Sequence, residues 1–144
     1  DPNTRLLIAG EFWEDKNNYI SKIEMLGLSE RVTIIDQYIP NERLPLIFGA
    51  ADCLVAPYTG GTQSAVVSTG LAFGLPMIIT EQIAAGIPAN RLENIQIIPT
   101  QDLHTFIQAM AGIERRRETA PSPKPADHQG WDHLVRTIEE MSLP

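Results

Sequence analysis

A chain of 144 residues, 43% of them hydrophobic, can bury one sizeable core, so a single main domain is expected. The net charge of −7 argues against a nucleic-acid surface, which needs clustered Lys and Arg, and the one tight basic cluster, Arg115–Arg117, is hemmed by Glu114 and Glu118 and reads as a solvated helix end. The single cysteine, Cys53, excludes an internal disulfide framework, and its place in the apolar run DCLVAP makes it a core residue.

Five short aliphatic runs follow one another along the chain. They are RLLIAG (residues 5–10), RVTIID (31–36), DCLVAP (52–57), PMIIT (76–80) and NIQIIP (94–99). Each is nearly continuous rather than alternating, the pattern of strands buried on both faces of a parallel sheet. Helical segments are predicted between them. Asp15 to Leu26 stops at Gly27, and Asn41 to Phe48 stops near Gly49. Thr62 to Phe73 stops at Gly74 with Pro76 close behind, and Asp102 to Ile113 follows a cap at Thr100. Strands alternating with helices predict βαβ crossovers and a doubly wound, Rossmann-like α/β sheet.

The ends add two expectations. The chain opens with DPNT directly before a buried-type strand, as if a preceding strand and helix had been removed, so an N-terminally truncated domain over residues 1–118 is expected. Residues 119–127 (TAPSPKPAD) read as a Pro-rich linker, and residues 128–144 as a helix with Trp131, Leu134, Val135, Ile138 and Met141 on one face. That helix packs either on its own domain or on another one. No apolar run approaches membrane-spanning length, and no signal-peptide pattern stands at the start. His104, His128 and His133 lack the spacing that places two imidazoles on one helical face, so no metal site is expected.

In a sheet of this kind ligands bind outside the carboxyl ends of the strands, where helix N-termini offer N–H groups and a positive dipole end. Three turns meet that description: Gly10–Trp13, Asp36–Pro40 and Tyr58–Ser64. The last lies in PYTGGTQSAVVSTGLAFGLP, inside the run Cys53 to Thr80 that has no charged residue at all. Two readings of it stand side by side. Its paired glycines and hydroxyls make either a capped turn between buried elements or a cradle for an anion such as a phosphate.

The order of three segments, RLLIAGEFWED, LGLSERVTIIDQYIPNERLPLIFGAADCLVAPY and GGTQSAVVSTGLAFGLPMIIT, resembles the C-terminal, donor-binding domain of the group 1 (family four) retaining glycosyltransferases. Those enzymes have two Rossmann-like domains in the GT-B arrangement. The resemblance is close over roughly the first eighty residues. It implies a hexosyltransferase-type enzyme that uses a nucleotide-diphosphate sugar as substrate, with no cofactor and no bound metal. It implies that Tyr38, Ile39 and Pro40 hold the base through main-chain groups, and that Gly10 and Glu11 lie near the donor. It further implies that Gly61, Thr62, Gln63 and Ser64 turn their amides to the diphosphate and sugar, and that Thr69 stands beside the ribose. The implied partner is an N-terminal acceptor-binding domain of the same parent chain. Nucleic acid is not a partner, any peripheral membrane association belongs to the parent, and the location is cytoplasmic.

Two departures from the family pattern stand out. The family has two Glu separated by seven residues ahead of Ala-x-Gly-x-Pro, and counting back from Ala72–Pro76 puts those positions at Gly61 and Thr69. Neither is acidic, and Gln63 and Ser64 offer neutral hydrogen bonds instead. The family's Arg and Lys for the departing diphosphate precede the strand matching RLLIAG, outside this chain, so no catalytic residue is assigned and the isolated chain is expected to be inactive. A non-catalytic binding or assembly module derived from the same fold is the alternative. An unrelated flavodoxin-like domain is the third reading.

Overall fold

The computed structural model describes residues 3–61 and 64–119, with residues 114–119 described by backbone alone. The fold is mixed α/β with parallel strands in two ladders, the Rossmann-like pattern expected from the alternating strands and helices. The chain divides into two compact units, Asp1–Leu44 and Pro45–Pro144.

In the first unit β1 (Leu6–Ala9) pairs in parallel with β2 (Val32–Ile35), in the register Leu6 to Val32 through Ala9 to Ile35. The crossover between them is α1 (Lys16–Met25) followed by a short 3-10 turn, Ser29–Arg31. Helix α1 starts where expected because the Asp15 side chain accepts from the Asn17 amide at 2.9 Å, satisfying one of the donors left unpaired at a helix start. It stops at Gly27, whose φ of 65° lies in the left-handed region that ends helices with little steric cost. Phe12 packs edge-on to Tyr19 at 5.3 Å, and the Arg5 guanidinium donates to the Glu30 carbonyl at 3.1 Å. Asn41–Arg43 forms a second 3-10 turn.

The second unit carries most of the core. Its three-stranded parallel sheet has the order β3 (Leu54–Ala56), β4 (Met77–Thr80), β5 (Ile95–Ile98). Helices α2 (Leu44–Ala50), α3 (Ala65–Ala72), α4 (Glu81–Ala84) and α5 (Leu103–Thr119) accompany it. The two-residue period of β4 divides the core between the faces of the sheet. Met77 and Ile79 join Ala56, Val67 of α3 and Ile83 of α4 on one face. Ile78 joins Ile98 and the α5 residues Ala109 and Ile113 on the other. Every residue of β4 is buried. Burying each of its large aliphatic side chains stabilises the fold by about 1.5–3 kcal/mol.

Each predicted strand is present, and the pairing differs from a single continuous sheet. The ladders are two, β1–β2 and β3–β4–β5. Aliphatic runs show that strands are covered on both faces and carry no signal of which strands are neighbours. The cap of α5 is also not the expected Thr100. Asp102 caps it, accepting from the Thr105 amide at 3.0 Å and from the Thr105 hydroxyl at 2.6 Å. Asp102 immediately precedes the helix, where a side-chain oxygen reaches the amide three residues on, whereas Thr100 stands two residues further back. The Thr100 hydroxyl is buried with no partner, and Gln101 between the two adopts a φ of 63°. Cys53 is half-buried against the α5 side of the core. The rest of the expected linker, 120–127, and the helix 128–144 with Trp131 lie outside the described residues. Among the described residues no helix is long and apolar enough to cross a membrane.

Candidate functional site

Of the expected positions, Gly10, Glu11, Tyr38, Ile39 and Pro40 follow the strands of the first unit, and Gly61 and Ser64 lie between β3 and α3 of the second. In the first unit Gly10 follows β1 with a φ of 138°, which a side chain would strain. Its amide donates to the Ile35 carbonyl at 3.0 Å, continuing the ladder. The next loop amide but one, that of Phe12, donates to Asp36 Oδ1 at 3.1 Å. Gly10 and Phe12 thus bracket Glu11 with amides already bonded within the protein. Glu11 is exposed. Beyond Asp36, Tyr38 is 68% exposed, and Ile39 and Pro40 are half-buried before the 3-10 turn.

Asp36 organises this end of the unit, a role that the sequence reading left unassigned. Its second oxygen lies 2.7 Å from Lys16 Nζ at the start of α1. The bond from Lys16, then the Phe12 amide, hold its carboxyl below the usual aspartate range. The available signal was an acid one residue past a strand end with a lysine in the first turn of the preceding helix.

In the second unit the Tyr58–Ser64 turn connects β3 to α3. Gly61 has a φ of 93°, and nothing stands within 4 Å of where its side chain would be. Ser64 caps α3, its hydroxyl accepting from the Val67 amide at 3.3 Å and its carbonyl from the Ser68 amide at 3.0 Å. The amides of Ala65 and Val66 have no acceptor within the helix, as for any first turn. Thr62 and Gln63 lie outside the described residues.

Thr69 sits on the second turn of α3, half-buried, and its hydroxyl donates to the Ala65 carbonyl at 2.8 Å. That local bond to its own helix competes with any use of the hydroxyl on a ligand. Gly70, the next residue, lets α3 approach the sheet closely: a side chain there would come within 2.7 Å of Leu54 Cδ2 and 3.0 Å of Met77 Sδ. Phe48 of α2 stacks on Phe73 at the end of α3, with ring centroids 5.3 Å apart.

The sequence reading also missed Thr80. It is 1% exposed, and its hydroxyl donates to the Tyr58 carbonyl at 2.8 Å. A threonine closing a strand gives no sign by itself of the distant carbonyl it will meet. Among the described residues no group of three or more His, Cys, Asp and Glu side chains is placed to hold a metal ion.

No curated protein matches the chain. A family model described as Glycosyl transferases group 1 matches residues 1–115, which takes in every strand, both glycine-bearing turns and most of α5. On that match, and with a parallel α/β fold that carries those turns at its strand ends, the chain belongs to the group 1 glycosyltransferases.

Proposed function

We propose that this chain is the donor-binding, C-terminal half of a retaining, family-four glycosyltransferase of GT-B architecture, working in the cytoplasm on a nucleotide-diphosphate sugar. The observation that carries the reading is the family match over residues 1–115, which includes the segment between β3 and α3, where a Cβ at Gly61 would meet nothing within 4 Å. There the Gly61 backbone, the first-turn amides of α3 and the helix dipole would receive the diphosphate, with Thr62 and Gln63 in the same turn. In the first unit, Tyr38, Ile39 and Pro40 take the base and Gly10 and Glu11 lie near the donor. Thr69 stands by the ribose. The acceptor is bound by an N-terminal domain of the parent chain, and the leaving group's counter-charges come from the segment that precedes the strand matching RLLIAG. No cofactor or metal takes part, and the present chain by itself transfers no sugar.

Titration of the full-length protein with UDP, GDP, ADP and FMN tests this reading. One nucleoside diphosphate should bind, more weakly as salt rises, and the product anomer formed from its sugar nucleotide should keep the donor's configuration by NMR. Binding of FMN alone, or an inverted product, would contradict it.

A second reading has its own observation. Gly61 and Thr69 stand where the family has acids, and the Thr69 hydroxyl is already bonded to Ala65. A module that binds nucleotide without turnover would result. Binding with no product in the presence of any sugar nucleotide and acceptor supports that reading instead.

A further inference from the structure

Thr80 occupies the position at which a threonine ordinarily caps its own helix. It precedes α4 with extended backbone angles, φ −77° and ψ 156°, yet its side chain makes no capping bond. Among N-cap residues the side-chain oxygen usually accepts from the helix's first amides. Here the hydroxyl is turned elsewhere, to the Tyr58 carbonyl at 2.8 Å. Two features make it a firm anchor. Its backbone is in register with Ile98 of β5, and at 1% exposure it is the one buried polar residue among those described.

The other end of that bond lies where the ladder has finished. The β3–β4 register stops at the pair Ala56 and Ile79. Pro57 follows and has no amide to donate, so the chain leaving β3 loses a means of staying attached to β4 by its backbone. Tyr58 is the next residue. The Thr80 hydroxyl therefore holds the segment that enters Thr59–Gly60–Gly61 and sets the direction from which the glycine turn departs.

We infer that Thr80 is a positioning residue for the proposed diphosphate turn, acting through the Tyr58 carbonyl rather than touching the ligand. The inference rests on the donor-binding reading given above. Its chemistry is specific to the hydroxyl: serine retains the donor, whereas valine retains the shape without it.

The test is calorimetric titration of the full-length wild type, Thr80→Val and Thr80→Ser with UDP, GDP and ADP, alongside melting curves. Thr80→Val should weaken binding of the preferred nucleotide about tenfold, the scale of one lost hydrogen bond, and Thr80→Ser should remain within about threefold of wild type. Wild-type affinity in a folded Thr80→Val overturns the inference while the donor-binding reading survives. Equal losses in the Val and Ser variants overturn it too, because the methyl and not the hydroxyl would then matter. Should Thr80→Val fail to fold, Thr80→Ala against Thr80→Ser carries the same comparison, and equal affinities overturn the inference. A wild type that binds none of the three nucleotides removes the donor-binding reading and this inference with it.

Discussion

Lys16 Nζ and Asp36 Oδ2 lie 2.7 Å apart, joining the first turn of α1 to the carboxyl end of β2. Both side chains are partly exposed, so salt and solvent screen the attraction, and its effect on stability is small. The same carboxylate also accepts the Phe12 amide, which ties down the loop after Gly10. Because the folded-state pKa of Asp36 lies below its ordinary value of 3.8, its contribution is present above that value and is lost as pH falls through the lower, folded value. Asp36→Asn keeps an oxygen for Phe12 and removes only the charge. Its melting temperature should fall slightly below wild type at pH 7, and the two curves should converge only as pH falls below 3.8 and through the lower, folded value. A gap that persists unchanged to pH 2 would show that the ion pair is not its cause.

Two glycines on helices predict opposite effects of alanine. At Gly70 a methyl would meet Leu54 Cδ2 of β3 at 2.7 Å and Met77 Sδ of the wholly buried β4 at 3.0 Å. Overpacking of this kind costs about 1–3 kcal/mol, which the roughly 1 kcal/mol gain in helix propensity only partly offsets. At Gly112 the nearest atom is the Gln96 amide nitrogen at 3.1 Å, the end of a side chain that can turn away. Gly112→Ala should be neutral or stabilising by up to about 1 kcal/mol. Urea unfolding of both variants checks the order, and a Gly70→Ala protein as stable as Gly112→Ala would refute the close packing of α3.

The thiol of Cys53 should be slow to react. Burial, the largest effect, pushes its pKa from 9.0 up to about 11. At pH 8 the thiolate fraction is then about a hundredfold below that of an ordinary thiol. Since this is the chain's single cysteine, labelling with a disulfide reagent reports on it alone in these residues. Native protein should react at least about fiftyfold more slowly than protein in denaturant. Comparable rates would mean that the Cys53 side of the core opens readily.

The strand runs were legible because parallel strands in a covered sheet leave long aliphatic stretches, and PMIIT became the wholly buried β4. Two of the helix stops were legible for a local reason, whereas α2 continues through Gly49 to Ala50 and α5 past Ile113 to Thr119. Gly27 and Gly74, with φ of 65° and 67°, adopt the left-handed conformation that the sequence pattern implied. What depended on distant partners was not legible. The break between two ladders, the Thr80 bond across 22 positions to Tyr58 and the approach of Gly70 to Leu54 are set by tertiary geometry. The cap of α5 falls on Asp102, two residues past the expected Thr100, because it is the Asp102 side chain that reaches the Thr105 amide. At the candidate site, residue types located the turn, while the Thr69 bond to Ala65 gives that hydroxyl a local use.

The most direct measurement is the nucleoside-diphosphate affinity of Gly61→Asp beside Gly61→Ala and wild type in the full-length protein. At a φ of 93° an added side chain strains the backbone by about 1–2 kcal/mol, and its Cβ meets no described atom within 4 Å, so the alanine variant measures the effect of that strain. If the turn receives the diphosphate, the aspartate both fills the approach and repels the ligand's charge, and its Kd should rise at least about tenfold above that of Gly61→Ala. A folded Gly61→Asp protein that binds the nucleotide as tightly as Gly61→Ala would contradict the placement of the diphosphate at the start of α3.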